Sequence, residues 1–204
     1  MEGLSGIAIG GAGGLLVVAL ATRVRAVQRL DDALEAFVGP HRERWRRLAG
    51  AATLTGEKFV HPVIGAVTAT VLFATRGGPP LDIVLPLASA SLGGIITHHV
   101  VKFIYHRPRP EVALLRNKTE AAFPSGHTTN ATAVVATSAY MLVRAGLMPV
   151  PVAIVAVIAL CLATGASRVA LGWHWGTDVI GGWFAGAGVA AGCCWIYEIM
   201  LLTT

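Results

Sequence analysis

The chain contains 204 residues, of which 54% are hydrophobic and 13% are charged, and its formal net charge is +5. A soluble domain carries about 25% charged residues, so this composition argues against a soluble protein and predicts one membrane domain over residues 1–204. No basic and aromatic surface pattern accompanies the positive charge, and we therefore expect no nucleic-acid partner.

The first apolar segment, residues 4–22, is long enough to cross a bilayer. A cleaved signal peptide would have a basic residue before this run, whereas only Glu2 lies there and Arg23 and Arg25 follow it. We therefore predict an uncleaved membrane span.

Residues 23–48 form a charged connection with apolar residues at helical spacing. The apolar positions are Val24, Val27, Leu30, Leu34 and Phe37. The pattern predicts an interfacial amphipathic helix that is broken near Gly39-Pro40 and followed by the basic run Arg42–Arg47. A solvated connecting loop with one apolar face would explain the pattern equally well.

Five further apolar segments predict five more spans. They cover residues 49–75, 81–105, 125–144, 150–166 and 178–202, with a tight turn at Gly77-Gly78-Pro79-Pro80. The expected fold is an all-α integral membrane bundle of six transmembrane helices with an interfacial amphipathic helix after the first span. An even number of spans places both termini on one side of the membrane and brings three polar segments together on the other.

Three basic residues in these polar segments form a candidate phosphate site. They are Lys102, Arg109 and Arg168. Arginine offers a planar fork of donors that fits phosphate oxygens, and lysine adds a mobile point charge. Together they could neutralise a phosphoryl group and its transition state, although each one alone would also suit a lipid-headgroup contact.

The tetrapeptide Pro124-Ser125-Gly126-His127 stands where the fourth span is predicted to begin. Proline suits a first helical turn, and glycine allows an anion to approach the backbone. The free amides of that turn and the helix dipole would bind an anion. An ordinary helix start capped by serine is the plainer interpretation.

His174 and Asp178 are four residues apart, a spacing that places both on one face if the segment is helical. A carboxylate bonded to one imidazole nitrogen fixes the tautomer and leaves the other nitrogen free to attack. His127 could then protonate the leaving oxygen as a general acid.

These residues together resemble the type 2 phosphatidic acid phosphatase superfamily, which also contains bacterial prenyl-pyrophosphate phosphatases and vanadium haloperoxidases. Its three-part signature is Lys-x6-Arg-Pro, Pro-Ser-Gly-His and Ser-Arg-x5-His-x3-Asp. The chain matches every part, at Lys102 with Arg109-Pro110, at Pro124–His127, and at Ser167-Arg168 with His174 and Asp178.

The resemblance implies a phosphatase that forms a phosphohistidine at His174, with Asp178 orienting the ring and His127 acting on the leaving group and on water. Lys102, Arg109 and Arg168 would hold the phosphoryl oxygens, assisted by Ser125 and the Gly126 amide. No metal or other cofactor is expected. The roles of five other residues stay open: Glu57, Lys58, His61, His98 and His99.

The substrate implied by the resemblance is a lipid phosphate whose tail stays in the bilayer. Candidates are undecaprenyl pyrophosphate, which we favour, phosphatidylglycerol phosphate and phosphatidic acid, with lipid A or a prenyl-linked sugar phosphate as alternatives. The small size resembles that of compact bacterial members that act on a prenyl pyrophosphate or on a glycerophospholipid phosphate. The soluble haloperoxidases are a poor match for six apolar spans. A non-enzymatic lipid-binding protein would not require His174 and Asp178 together, and a transporter would be expected to show an inverted repeat.

The resemblance and the distribution of positive charge predict opposite membrane faces for the site. Bacterial relatives of this kind commonly place the site outside the cytoplasmic (inner) membrane, and we expect the same multi-pass arrangement here. Seven arginines nevertheless lie on the site's side, and the positive-inside rule would put that side in the cytoplasm. They are Arg23, Arg25, Arg29, Arg42, Arg44, Arg46 and Arg47.

Small residues and cysteines in the last spans predict packing. Gly182-x3-Gly186 and Gly188-x3-Gly192 permit close helix contact, within the chain or in a dimer, and the oligomeric state stays open. Cys161, Cys193 and Cys194 lie in apolar stretches without metal or disulfide spacing, and we expect them to be packing residues.

Overall fold

The computed structural model of the protein describes residues 2–52, 60–76, 80–116 and 120–203. Within these ranges the regular secondary structure is entirely helical, and no β-strand is present. The helices are α1 Glu2–Ala21, α2 Arg25–Val38, a short 3-10 helix Gly39–His41, α3 Arg42–Ala52, α4 Val60–Arg76, α5 Pro80–Ile104, α6 Glu111–Leu114, α7 Gly126–Arg144, α8 Val150–Ala170 and α9 Gly176–Thr203.

Among the described helices, 4 are long and apolar enough to cross a membrane. They contain the segments Gly3–Ala21, Leu81–Ile104, Val150–Ala170 and Gly176–Leu202. The apolar helix α4 is shorter, with 17 residues. The count of six spans therefore stays a prediction that also depends on α4 and α7.

Helix α7 is the polar centre of the bundle. It packs against α4, α5, α8 and α9, and its hydroxyl and amide side chains are buried: Thr128, Thr129, Asn130, Thr132, Thr137 and Ser138. Because neighbouring helices separate these groups from lipid, α7 can be central without being strongly apolar. This explains why composition alone identifies it poorly as a membrane helix.

The charged connection after α1 is helical on both sides of its predicted break. Helix α2 ends at Val38, and the 3-10 turn at Gly39-Pro40 leads directly into α3. The basic run is therefore part of a helix, and α3 packs against α8. Asp31 is the buried residue of α2, whereas Leu30 and Phe37 are exposed.

Several predicted boundaries need correction. Residues 49–52, assigned to the second span, continue α3, and the apolar helix α4 begins at Val60. Residues 53–59, with Glu57 and Lys58, and the predicted turn at Gly77–Pro79 lie outside the described ranges. Helix α8 extends to Ala170, so Ser167 and Arg168 belong to its final turns rather than to a connecting segment.

His174 and Asp178 do not lie on one helix, so their four-residue spacing does not place them on one helical face. Gly172 has a φ of +69° and allows the chain to leave α8. Helix α9 begins at Gly176, so His174 lies in the connecting turn and Asp178 lies in the first turn of α9. The two side chains therefore meet because of the turn, and not because they share one face of a helix.

Close packing of glycines joins α1 to α9. A Cβ atom added at Gly11 would lie 2.7 Å from the Cα atom of Gly188, and one added at Gly14 would overlap the ring of Phe184. Small residues allow membrane helices to approach this closely. Gly188, predicted to serve close helix contact, therefore does so within the chain, while a Cβ at Gly192 would meet no atom within 4 Å.

We predict that Gly11→Ala lowers the melting temperature of the protein in detergent, because the new methyl group meets backbone atoms of α9 that cannot rotate away. The expected loss of stability is about 1–3 kcal/mol, as for other overpacked sites. Gly10→Ala is the matched control, since a Cβ there meets nothing within 4 Å. Equal melting temperatures for the two variants would show that α1 does not depend on this contact.

Candidate active site

The three polar segments meet at one end of the bundle, as the sequence predicted. Their residues come from the last turn of α5, the segment after it, the start of α7, the end of α8, the following turn and the start of α9. They are Lys102, Arg109, Ser125, Gly126, His127, Arg168, His174 and Asp178. All except Lys102 and His127 are buried.

His174 stands between a guanidinium and a carboxylate. Its Nε2 atom is 3.4 Å from Nη1 of Arg109, and its Nδ1 atom is 3.4 Å from Oδ2 of Asp178. The second distance is within ion-pair range but lacks hydrogen-bond geometry. Because arginine can only donate, Nε2 must present its lone pair to Arg109, and the ring proton belongs on Nδ1, towards Asp178.

The charge state of His174 follows from its surroundings. Burial lowers the pKa of His174 well below its ordinary value, and the cations Arg109, Arg168 and Lys102 lower the pKa further. The imidazole is therefore neutral near pH 7 and keeps a lone pair. A neutral ring with its Nδ1 proton directed at a carboxylate is the form that can act as a nucleophile.

Asp178 is held by two donors besides its approach to His174. Its Oδ1 accepts a hydrogen bond of 2.7 Å from Nη1 of Arg107, and its Oδ2 accepts one of 2.9 Å from the Trp175 amide. The second bond satisfies an amide at the start of α9, as the third residue of a helix does in a capping box. The carboxylate is fully buried, and its position is set by these bonds.

Arg109 is fixed by backbone carbonyls. Its Nε donates to the Glu120 carbonyl at 2.8 Å, and its Nη1 donates to the Trp173 carbonyl at 2.9 Å. Burial lowers the pKa of Arg109, while the carboxylates of Glu120 and Asp178 oppose that change. Arginine is so basic that the side chain stays protonated.

The other two cations flank this centre. Lys102 Nζ lies 3.6 Å from a carboxylate oxygen of Glu120, whose side chain is 80% exposed. The guanidinium of Arg168 lies over the Trp173 ring, 4.1 Å from its centroid, and is buried. Aromatic stacking holds this planar cation without neutralising it.

The Pro-Ser-Gly-His turn is attached to α9 through the backbone. The Ser125 amide donates to the Asp178 carbonyl at 2.9 Å, and Thr128 Oγ1 donates to Ser125 Oγ at 3.0 Å. A Cβ atom at Gly126 would stand about 3.0 Å from the His98 ring, so a side chain there would require the His98 ring to shift. His127 is half-buried and near enough to His174 for their charges to interact.

Three further histidines, His61, His98 and His99, lie outside the group of predicted site residues. His98 is buried and packs on Gly126, and its ring stacks on exposed His99 with centroids 4.2 Å apart. His61 is buried in α4. Within the described residues no three His, Cys, Asp or Glu side chains are grouped as a metal site.

Two residues near Asp178, Arg107 and Asp31, were not predicted from the sequence as site residues. Arg107 bonds both Asp178 and Asp31, and Asp31 comes from α2, far away in the chain. The position of Arg107 next to the Arg109 motif was the available signal. Nothing in the sequence distinguishes Asp31 from its exposed neighbour Asp32.

Comparison with known proteins shows the family of the chain. The family model of the PAP2 superfamily matches residues 83–200. Phosphatidylglycerophosphatase B of Bacillus subtilis (strain 168) is 31% identical over 176 residues, which cover 84% of this chain and 85% of the relative. The undecaprenyl-diphosphatase BcrC of the same organism is 33% identical over 103 residues, covering 48% of this chain and 49% of the relative.

A solved structure is similar over almost the whole chain. It is the crystal structure of a transmembrane PAP2 type phosphatidylglycerolphosphate phosphatase from Bacillus subtilis, with 27% sequence identity and a TM-score of 0.79. The match covers 95% of this chain and 96% of that one. The all-helical architecture is therefore shared with a transmembrane phosphatase.

We predict that Glu120→Gln lowers the KM for a lipid phosphate by about two- to fivefold, the scale of an exposed charge pair, with little change in kcat. The Glu120 carboxylate lies 3.6 Å from Lys102 Nζ and 3.9 Å from Arg109 Nη2, so it competes with an incoming anion. Steady-state kinetics would measure this, with Glu111→Gln on α6 as the exposed control. A higher KM would mean instead that Glu120 holds the cations in place.

Proposed function

The chain belongs to the PAP2 superfamily and is a membrane lipid phosphatase of the PAP2 type, and we propose that it cleaves its substrate through a phosphohistidine intermediate on His174. The observation that carries this proposal is the position of His174, with Nε2 facing Arg109 and Nδ1 facing Asp178. A phosphoryl group that binds Arg109 would take the guanidinium away from Nε2 and place its phosphorus beside the Nε2 lone pair.

The first step forms the phosphoenzyme. The Nε2 lone pair of His174 attacks phosphorus, and the bond from phosphorus to the lipid oxygen breaks. The ring becomes cationic, and the Asp178 carboxylate stabilises it through the Nδ1 proton. His127 gives its proton to the departing oxygen, so that the lipid leaves as a neutral alcohol or, from a pyrophosphate, as a monophosphate.

The second step releases phosphate. His127, now neutral, takes a proton from water as the oxygen of that water attacks the phosphohistidine, and the phosphorus–nitrogen bond breaks. Inorganic phosphate leaves, and His174 is again neutral. Throughout both steps Lys102, Arg109 and Arg168 would bind the phosphoryl oxygens, with Ser125 and the Gly126 amide completing the cradle.

A metal ion has no evident task in this mechanism. Three fixed cations already supply the charge that a divalent ion would bring to a phosphoryl group. We therefore propose a metal-independent reaction.

For the substrate we propose a glycerophospholipid phosphate of the phosphatidylglycerol phosphate class. The similarity to a phosphatidylglycerophosphatase extends over 84% of the chain, whereas that to the undecaprenyl-diphosphatase covers 48%. Undecaprenyl pyrophosphate is the second candidate, and phosphatidic acid belongs to the same broad class.

For the membrane arrangement we propose one domain with six spans, α2 at the lipid interface and the site on the extracytoplasmic face of the inner membrane. The exposed apolar residues Leu30, Leu34 and Phe37 on α2 support an interfacial position. The arginines of α2 and α3 would then attract anionic headgroups, which accounts for positive charge on that face.

We predict that the purified protein in detergent releases phosphate from phosphatidylglycerol phosphate faster than from undecaprenyl pyrophosphate or phosphatidic acid, and that excess EDTA leaves the rate unchanged. His174→Ala should lower kcat by about a thousandfold or more, because the substitution removes the attacking nitrogen. His41→Ala is the control, since His41 lies in the exposed 3-10 turn.

Rapid quenching of the reaction, with a substrate whose transferred phosphoryl group is radiolabelled, would test the intermediate directly. The phosphoryl label should remain on the wild-type protein after a basic quench and should be absent from His174→Ala. Inhibition by EDTA would overturn the metal-independent reaction, and an active His174→Ala variant would remove the histidine as nucleophile.

We also predict that tags at the two termini are both digested in inverted inner-membrane vesicles and both protected in spheroplasts, because six spans return the chain to the cytoplasm. Protease accessibility followed by immunoblotting would measure this. Termini that behave differently from each other would exclude an even number of spans. Digestion of both in spheroplasts would place the site in the cytoplasm.

A further inference from the structure

Arg107 bridges two buried carboxylates from different parts of the chain. Its Nη1 donates to Oδ1 of Asp178 at 2.7 Å, and its Nη2 donates to Oδ2 of Asp31 at 2.7 Å. The three side chains are 10%, 0% and 4% exposed, respectively. A guanidinium that is held at two edges cannot rotate, so each carboxylate restricts the position that Arg107 offers to the other.

Asp31 also holds the first turn of α9. Its Oδ1 accepts a hydrogen bond of 3.1 Å from the Thr177 amide, one of the amides that a helix start leaves without a partner. The Thr177 hydroxyl donates to Oδ2 of Asp31 and accepts 2.6 Å from Nη1 of Arg107. The carboxylate of α2 therefore fixes the turn that carries Asp178 in two ways.

A cavity lies next to this bridge. It has a volume of about 650 Å³ and is lined by both Asp31 and Arg107, together with Asp32, Arg23 and Gln28. Without the Asp31 charge, the Arg107 guanidinium would have room to turn into the cavity and away from Asp178. The Asp178 carboxylate would then keep its bond to the Trp175 amide but lose its nearest cation.

We propose that Asp31 is a positioning residue of the active site, which holds Arg107 and the start of α9 so that Asp178 meets the Nδ1 atom of His174. This inference rests on the proposed roles of His174 and Asp178. Asp31 bonds Arg107 and Thr177 and acts through these two residues. The amphipathic helix α2 thereby contributes to catalysis from outside the three motifs.

The first test compares Asp31→Asn with Asp32→Asn, a neighbouring exposed carboxylate that makes no bond to Arg107 or Thr177. Asp31→Asn should lower kcat by about ten- to a hundredfold, the usual effect of losing a group that supports a directly acting residue through a hydrogen bond, and leave KM within about twofold. Asp32→Asn should behave as wild type. A wild-type kcat for a folded Asp31→Asn variant would overturn the proposal.

A double-mutant cycle separates positioning from a general effect on structure. If Asp31 acts through Asp178, adding Asp31→Asn to Asp178→Asn should lower kcat by less than about twofold more. Two independent effects would multiply instead, and that result would overturn the proposal. The melting temperature of each variant shows whether the folded fractions are equal.

Arg107→Lys provides a second route if Asp31→Asn does not fold. Lysine keeps the charge but cannot bridge two carboxylates with a rigid fork, so kcat should fall as for Asp31→Asn and should not fall further in the Asp178→Asn background. Full activity of Arg107→Lys would count against the bridge. If His174→Ala retains activity, the proposed function fails, and the proposed role of Asp31 fails with it. If His174→Ala is inactive while Asp31→Asn is fully active, only the proposed role of Asp31 is overturned.

Discussion

The site depends on how closely α7 packs against α9. A Cβ atom added at Gly186 would lie 2.6 Å from the Thr129 carbonyl oxygen, and one added at Gly182 would lie 2.9 Å from the Thr128 Cβ. This approach allows the Ser125 amide to bond the Asp178 carbonyl at 2.9 Å. Because of that contact, the turn that would cradle a phosphate and the turn that carries the histidine form one unit.

Charge accumulates at this end of the bundle because the helices converge there. Lys102, Arg109 and Arg168 are brought together, and the exposed carboxylate of Glu120 lies near the first two. The buried carboxylates of Asp31 and Asp178 pair with Arg107. A group of cations at one end of the bundle favours a bound anion. The same cations help to keep His174 neutral.

Much of the site could be predicted from the sequence because its residues lie in three short segments at helix ends. Counting spans places such segments on one side, and their chemistry then points to phosphate. The shared helical face that the spacing of His174 and Asp178 would give does not form, since Gly172 ends α8 and the histidine lies in a turn. Asp31 could not be found at all, because its partner Arg107 is 76 positions away in the chain.

The sequence by itself determined the class of the protein and predicted the reacting groups, because hydropathy and short-range motifs are local properties. It left open which face of each helix is buried, since the polar helix α7 lies at the centre while apolar α1 lies outside with few buried residues. Only the tertiary structure decided that Arg107 joins α2 to α9 and that Glu120 stands beside the cations. Those contacts depend on the packing of distant helices, and a one-dimensional pattern does not encode their distances.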